Sequence, residues 1–397
     1  MFRGNRRFLI ATAVFLLFAA IFFTGRLTRV SATDELERKL EIYLRALEVV
    51  QSEYLEKDVS PSKLIYGSIK GMLESLDDPY TRFMEPSAFK EMNIRMSGSY
   101  SGIGIYIGVR EKQIVVVSPI SDTPAAKAGL KSLDKVLSID GKITKDMALD
   151  EAVGLIRGHS GTTVKLNILR TGWKEPKEFP IVREKIVIKS VESKSMDKGI
   201  YYIKLNTFEN QNAPQEMRKA INQAKASKAK GIILDLRNNG GGLLRIAIDV
   251  GSMFIEDGVI VYTVDREGRR ETLSSSGDII WDRPLVVLVN EASASASEIL
   301  AGALQDNKAA TLVGTHTFGK ACVQNVRELD DGSAILITVA KYYTPNGRDI
   351  TKTGIQPDVS IEALAIPTEE AETEITIPEE EDVQLKKAIE VLKNKSS

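Results

Sequence analysis

The run Val289-Asn290-Glu291-Ala292-Ser293-Ala294-Ser295-Ala296-Ser297-Glu298 sets three serines among alanines at the start of a helix-forming stretch. Small neighbours leave room for a carbonyl to approach a hydroxyl, although a serine at a helix start also serves as an N-cap, a role that at least one of the three fills. An attacking serine needs a base. The chain has two histidines; His159 falls in a small strand-rich module described below, so a Ser-His-Asp triad would rest on His316. Lys320 is the stronger candidate. It follows Ser295 by 25 residues in Thr317-Phe318-Gly319-Lys320-Ala321-Cys322-Val323-Gln324, among small and apolar residues. Desolvation disfavours the ammonium, and a neutral lysine accepts the proton of a serine hydroxyl. A third stretch, Leu234-Asp235-Leu236-Arg237-Asn238-Asn239-Gly240-Gly241-Gly242, runs an apolar strand into three glycines. Their amides can converge on one oxygen, as an oxyanion hole requires, or simply make a tight strand-to-helix turn.

The elements that must hold these groups alternate. Apolar strands at 201–205, 231–236 and 285–289 are interleaved with helical patterns at 214–226 and 295–305, an α/β layout. Before them, residues 97–183 carry short strand-like runs at 103–109, 114–117, 135–139, 164–169 and 179–182. Two short helices interrupt the runs, one opening at Thr123-Pro124-Ala125 and ending at Gly129, the other at 149–156. With the glycine-rich Ser101-Gly102-Ile103-Gly104-Ile105 and the segment Asp134-Lys135-Val136-Leu137-Ser138-Ile139-Asp140-Gly141, this module resembles a PDZ domain. That resemblance implies peptide binding by strand addition, with amides around Gly102, Ile103, Gly104 and Ile105 receiving a terminal carboxylate. A dinucleotide site is excluded, because Gly102, Gly104 and Gly108 are spaced GxGxxxG inside a strand with no helix after them.

Composition narrows the classes further. Lys plus Arg number 53 against 54 Asp plus Glu, a net charge of -1, which gives no global attraction to nucleic acid. Cys322 is the only cysteine, so no intramolecular disulfide forms, and two histidines make no structural zinc site. Cofactor-free and metal-free chemistry is expected. Phe8 to Phe23 contains no charge and follows Arg3, Arg6 and Arg7; through Gly25 it is long enough for a membrane anchor with the remainder across the membrane. A cleaved signal peptide ending near Val30-Ser31-Ala32 is the alternative. Leu36, Leu40, Tyr43, Leu47, Val50 and Tyr54 stripe an amphipathic helix that either packs on its own domain or pairs two chains, and a second helical pattern spans 61–76. Eight acidic residues between Glu369 and Asp382 precede a helix expected from Val383 to Leu392, read as a linker and a docking helix.

Taken in order, the Asp77-Asp78-Pro79-Tyr80-Thr81 stretch, the PDZ-like module, the glycine turn, the serine–alanine run, Gly319-Lys320 and Lys341-Tyr342-Tyr343-Thr344-Pro345 to Pro357-Asp358 resemble the carboxyl-terminal processing peptidases, also called tail-specific proteases. The resemblance implies an α/β (α+β) multidomain protein: a membrane or signal segment at 1–30, a helical N-terminal region at 31–96, an inserted PDZ domain at 97–183, a crotonase-like serine peptidase core at 184–362, and the acidic linker and helix at 363–397. Carried over by residue, it makes Ser295 the nucleophile, Lys320 the general base and Gln324 the group that orients the lysine. The amides of Gly241 and Ala296 form the oxyanion hole, and Arg157 in Leu155-Ile156-Arg157-Gly158 relays PDZ occupancy. The implied partner is a protein or peptide with an accessible C-terminus, cut outside the cytoplasm of a bacterium by an enzyme that self-associates, as a dimer. Two departures stand out: Gly240 replaces the family's usual proline, and Ala321-Cys322 its Gly-Thr or Gly-Ser. Cys322 reads as a small buried hydrophobe. A silent PDZ adaptor and a crotonase-type acyl-CoA enzyme are the alternatives; the first has no use for Ser295, Lys320 and Gln324, the second none for Lys320 or a PDZ domain.

Overall fold

The computed structural model describes residues 34–363 and 381–396. The expected anchor or signal peptide lies outside them, as does most of the acidic linker. Among the described residues no helix is long and apolar enough to cross a membrane.

The chain divides into two compact units, residues 1–77 and 78–397. In the first, a helix over 34–53 is followed by Pro61–Glu74, which opens with proline at its first turn where no helical hydrogen bond is lost. Tyr43 and Ser68 share a hydrogen bond of 2.8 Å. Of the stripe read from the sequence, Leu36, Leu40 and Tyr54 are more than half accessible in the single chain, Tyr43 and Val50 are exposed to a lesser degree, and Leu47 is half-buried.

The second unit holds the peptidase core and the PDZ module. Its main sheet orders Val191–Met196, Ile200–Leu205, Gly231–Asp235, Leu285–Val289, Thr311–Gly314 and Val359–Ser360, parallel except for the first pair. Alternate residues of a strand point to opposite faces. Ile203, Leu205, Ile232, Leu234, Val287 and Val289 therefore pack beneath the helices Ala213–Ala226, Leu244–Gly251 and Ala296–Asp306. Ile233, Val286, Leu288 and Val313 face the other way and receive Leu385, Ala388 and Leu392 of the C-terminal helix, Val383–Ser396. Each buried leucine there contributes roughly 1.5–3 kcal/mol of transfer free energy. The acidic segment thus ends in a helix that docks on its own core.

A second, antiparallel sheet is built on the long strand Ala334–Tyr343, flanked by Arg82–Met84 and Val259–Asp265 on one side and Cys322–Glu328 on the other. Arg82–Met84 and the helix Pro86–Ser97 bury Met84, Phe89 and Met92 against Ala334 and Leu336. Arg82–Met84 thus pairs with the long strand and the helix packs on it, a long-range pairing that local periodicity does not report.

The PDZ module has its own core, with Ile103, Ile114, Val116, Val136, Ile139, Val164, Leu166 and Ile168 buried. Its five main strands are Ile105–Arg110, Gln113–Pro119, Lys135–Ile139, Thr163–Leu169 and Lys177–Val182, with helices Pro124–Lys127 and Leu149–Ile156. A two-stranded ribbon, Ser99–Gly102 against Glu184–Val187, closes the module where it enters and leaves the core.

Candidate active site

The parallel strands Gly231–Asp235 and Leu285–Val289 are neighbours, so the glycine turn and the serine run that follow them emerge side by side at their C-terminal ends, where open α/β sheets place their sites. The three serines then separate by role. Ser293 and Ser297 are fully buried; Ser293 Oγ donates to the Leu236 carbonyl at 2.8 Å and Ser297 Oγ to the Asn239 carbonyl at 2.8 Å. They brace the two turns together. Ser295 between them is half-buried and occupies φ 55°, ψ −114°, an unfavourable conformation for a residue with a Cβ.

Glu298 holds that conformation. Its side chain is completely buried, and one carboxylate oxygen accepts the Ser295 N–H at 2.8 Å and the Lys320 N–H at 3.0 Å. The other accepts the Gly319 N–H and the Thr317 hydroxyl, both at 2.6 Å. Burial pushes the Glu298 pKa up, while these four donors oppose the shift. The buried Tyr342 hydroxyl reaches the carbonyl oxygens of Lys320 and, at 3.2 Å, of Ser295. Two side chains thus tie the backbone of the serine to the backbone of the lysine.

Lys320 is half-buried, and desolvation lowers its pKa, with Arg82 adding to the effect and Cys322, Asp78 and Glu298 opposing it. Its Nζ donates to Gln324 Oε1 at 2.8 Å and lies 4.8 Å from the centre of the Tyr80 ring. Gln324 Nε2 in turn donates to the Tyr80 carbonyl. The lysine and glutamine singled out from the sequence are therefore brought together.

The glycine turn abuts the serine. Gly241 has φ 96°, and a Cβ there would lie 2.8 Å from the Ala296 nitrogen and 2.9 Å from Ser295 Cβ; at Gly242, φ 146°, it would strike the Phe208 and Glu209 backbone. Both positions exclude side chains. The Gly241 N–H itself donates to Asn239 Oδ1 at 3.0 Å, so in this conformation it is engaged within the turn rather than free for an oxyanion. Gly240 has no positive φ, and a Cβ there meets nothing, so the family's proline is not replaced for want of space.

Comparison with known proteins is consistent with these elements. The family model "Peptidase family S41" matches residues 199–361, "PDZ domain" 101–179, and "Activating protease CtpB N-terminal domain" 25–88. A carboxyl-terminal-processing protease of Synechocystis is 41% identical over 350 residues, 87% of this chain and 80% of that protein. The carboxy-terminal processing protease CtpA of Bacillus subtilis is 39% identical over 355 residues, 88% of this chain and 75% of that one. The chain belongs to peptidase family S41. It is a carboxyl-terminal processing serine peptidase with a PDZ domain. A Bacteroides fragilis protein described as an S41 protease shares the fold at 17% identity, with a TM-score of 0.52 over 88% of this chain and 96% of that one.

In this S41 peptidase the PDZ groove is lined by Tyr100, Ile103, Gly104, Ile105, Val153 and Arg157, among others. Gly102, expected there, is not in the lining; it ends the closing ribbon, with a Cβ position 3.0 Å from the Tyr100 ring. Arg157 caps the groove helix, stacks on Tyr100 at 4.7 Å and pairs with Glu91 on Pro86–Ser97. His316 is exposed, its Nδ1 near the Thr317 carbonyl and its Nε2 near Glu291, away from the serine. Cys322 begins the strand after the lysine, half-buried, and burial pushes its thiol pKa up, with Lys320 opposing, a shift that disfavours the thiolate. Sequence reasoning assigned no role to Glu298, Tyr342 or Tyr80, although each lies in a stretch it singled out. Glu298 had a signal: Ser295-Ala296-Ser297-Glu298 has capping-box spacing, S-x-x-E.

Proposed function

We propose that this peptidase cuts protein tails and unstructured segments with a Ser295–Lys320 dyad, outside the cytoplasm, using its PDZ domain to recruit and sense the substrate. Neutral Lys320 takes the Ser295 proton, the alkoxide attacks the scissile carbonyl, and the lysine ammonium then protonates the leaving amine. Water, activated by the same lysine, releases the acyl group. Gln324 fixes the direction of Nζ. The Ala296 amide receives the oxyanion, joined by the Gly241 amide once it leaves Asn239 Oδ1. The observation that carries this reading is the single Glu298 oxygen shared by the Ser295 and Lys320 N–H groups.

A peptide C-terminus adds beside Ile105 in the PDZ groove, with its carboxylate at Ile103 and Gly104, and Arg157 at the rim passes occupancy to Glu91 and the peptidase sheet. The exposed apolar positions of helix 34–53 support self-association as a dimer. The basic, then apolar, first 25 residues support a single-pass anchor in a bacterial cell membrane, with release by cleavage as the alternative.

The test uses the full chain in detergent, an unfolded protein as substrate, and Ser295→Ala and Lys320→Ala checked for folding. Loss of cleavage in both supports the dyad. Cleavage that survives Lys320→Ala would assign the base elsewhere. An inert parent that still binds tail peptides would favour the adaptor reading, and thioester hydrolysis independent of Lys320 the acyl-CoA one.

A further inference from the structure

The turn Asp78-Pro79-Tyr80-Thr81 brings the Tyr80 ring to within 4.8 Å of Lys320 Nζ. Asp78 accepts the Tyr80 N–H at 3.0 Å and the Thr81 hydroxyl at 2.7 Å. Thr81 Oγ1 accepts the N–H of Thr338, the residue opposite Gln324 in the strand pair. The turn is thereby pinned to the strand that carries Gln324. From it, Tyr80 offers two groups to the dyad: its carbonyl to the Gln324 amide, and its ring face to Lys320 Nζ.

We infer that Tyr80 is a positioning residue for Lys320, holding Gln324 through its carbonyl and stabilising with its ring the ammonium that forms when Ser295 gives up its proton. The inference rests on the dyad reading. An ammonium is drawn to the face of an aromatic ring, and neutral amine is not. Burial works the other way by disfavouring charge, and ring and glutamine oxygen meet the charge once it appears. The other groups facing Lys320 are Asp78 on the same turn as Tyr80, Arg82 on the short strand that follows that turn, Cys322 at the start of the strand after the lysine, and Glu298 on the serine helix; the Tyr342 hydroxyl bonds its carbonyl. Substitution of the Tyr80 side chain removes none of these groups and keeps the main-chain N–H that Asp78 accepts.

The test is the pH dependence of kcat and kcat/KM of the full-length enzyme on an unfolded protein. Tyr80→Leu keeps the main-chain carbonyl and removes the ring. The acid limb of kcat/KM should move to lower pH by roughly 0.5–1 unit while the plateau kcat falls about 3- to 10-fold. A merely structural role would lower the plateau without moving the limb. Tyr80→Phe should keep both limb and plateau. Fluorinated phenylalanines at position 80 preserve shape, so they remain informative if Tyr80→Leu fails to fold; the limb should step acidward as fluorine withdraws charge from the ring. An unmoved limb across that series, or a Tyr80→Phe shift as large as that of Tyr80→Leu, overturns the inference. The dyad reading fails separately, through activity in Lys320→Ala.

Discussion

Replacing Glu298 perturbs the serine and the lysine at once. Its two oxygens serve four donors and the side chain is fully buried. Glutamine keeps one oxygen and turns the other into an N–H₂ that confronts two donors. The less costly orientation sets the amide nitrogen toward Thr317, whose hydroxyl can rotate, leaving the Gly319 N–H unsatisfied. One buried donor without a partner costs about 1–3 kcal/mol. Alanine strands every donor and opens a cavity, so Glu298→Ala should cost about 3–5 kcal/mol or more, a large part of a total stability of roughly 5–15 kcal/mol. Turnover should suffer beyond the loss of fold, because a shift of about 1 Å between nucleophile and base is worth about 100-fold in rate. Chemical denaturation and turnover on the same preparations separate the two effects, with Ser295→Ala as a control that is inactive but folded. If Glu298→Ala retains the parent's denaturation midpoint and turnover, the carboxylate does not hold the dyad together.

Lys320→Met should abolish cleavage and stabilise the protein near neutral pH. The folded lysine has a lowered pKa, so in the window up to its ordinary value of about 10.4 the unfolded chain binds more protons, and parent stability rises with pH. The advantage of methionine should therefore shrink toward alkaline pH, as thermal unfolding across pH will show, while parent activity climbs over the same range. Gly241→Ala should lose about 100-fold in turnover, since its Cβ would crowd Ala296 and Ser295 at a positive φ, whereas Gly240→Ala should fold normally and gain about 0.4–1 kcal/mol in denaturation. Arg157→Ala, and separately Glu91→Ala, should leave tail-peptide affinity largely intact in direct binding measurements but flatten the response of cleavage to added tail peptide.

The parts legible in the sequence are those that local pattern encodes. Unbroken apolar runs at 231–236 and 285–289, buried on both faces, and the helical pattern over 214–226 locate the main sheet and its cover, and the PDZ strands follow from short apolar runs between turns. Arg82–Met84 was out of reach because three residues carry no periodicity, and their place is fixed by a partner about 250 residues away in sequence. Among the serines, types and spacing narrow the nucleophile to three; burial separates Ser295 from Ser293 and Ser297. Glu298 was readable as a capping-box acid, but nothing local reveals that its carboxylate also serves Thr317, Gly319 and Lys320. Gly241 shows the converse limit, since a run of glycines announces backbone freedom without saying where each amide points.

What unites the missed residues is that they do not react. Ser295 sits at a φ that costs of order 1–3 kcal/mol, and Lys320 is desolvated. Both features oppose folding, so something nearby must over-determine them. The groups that do so, Asn239, Ser293, Ser297, Glu298 and Thr317, are fully buried, and each bonds across from one chain segment to another: Asn239 Nδ2 to the Leu205 carbonyl at 2.6 Å, Ser297 to Asn239, Thr317 to Glu298. Satisfied buried polar groups rigidify their surroundings because any displacement leaves a donor or acceptor without water or partner. The Ser295 hydroxyl and the Lys320 amine can then remain half-exposed while their backbones stay fixed. The position of Lys320 is likewise set by bonds to its own N–H and carbonyl, not by the side chains of Ala321 and Cys322 that follow it.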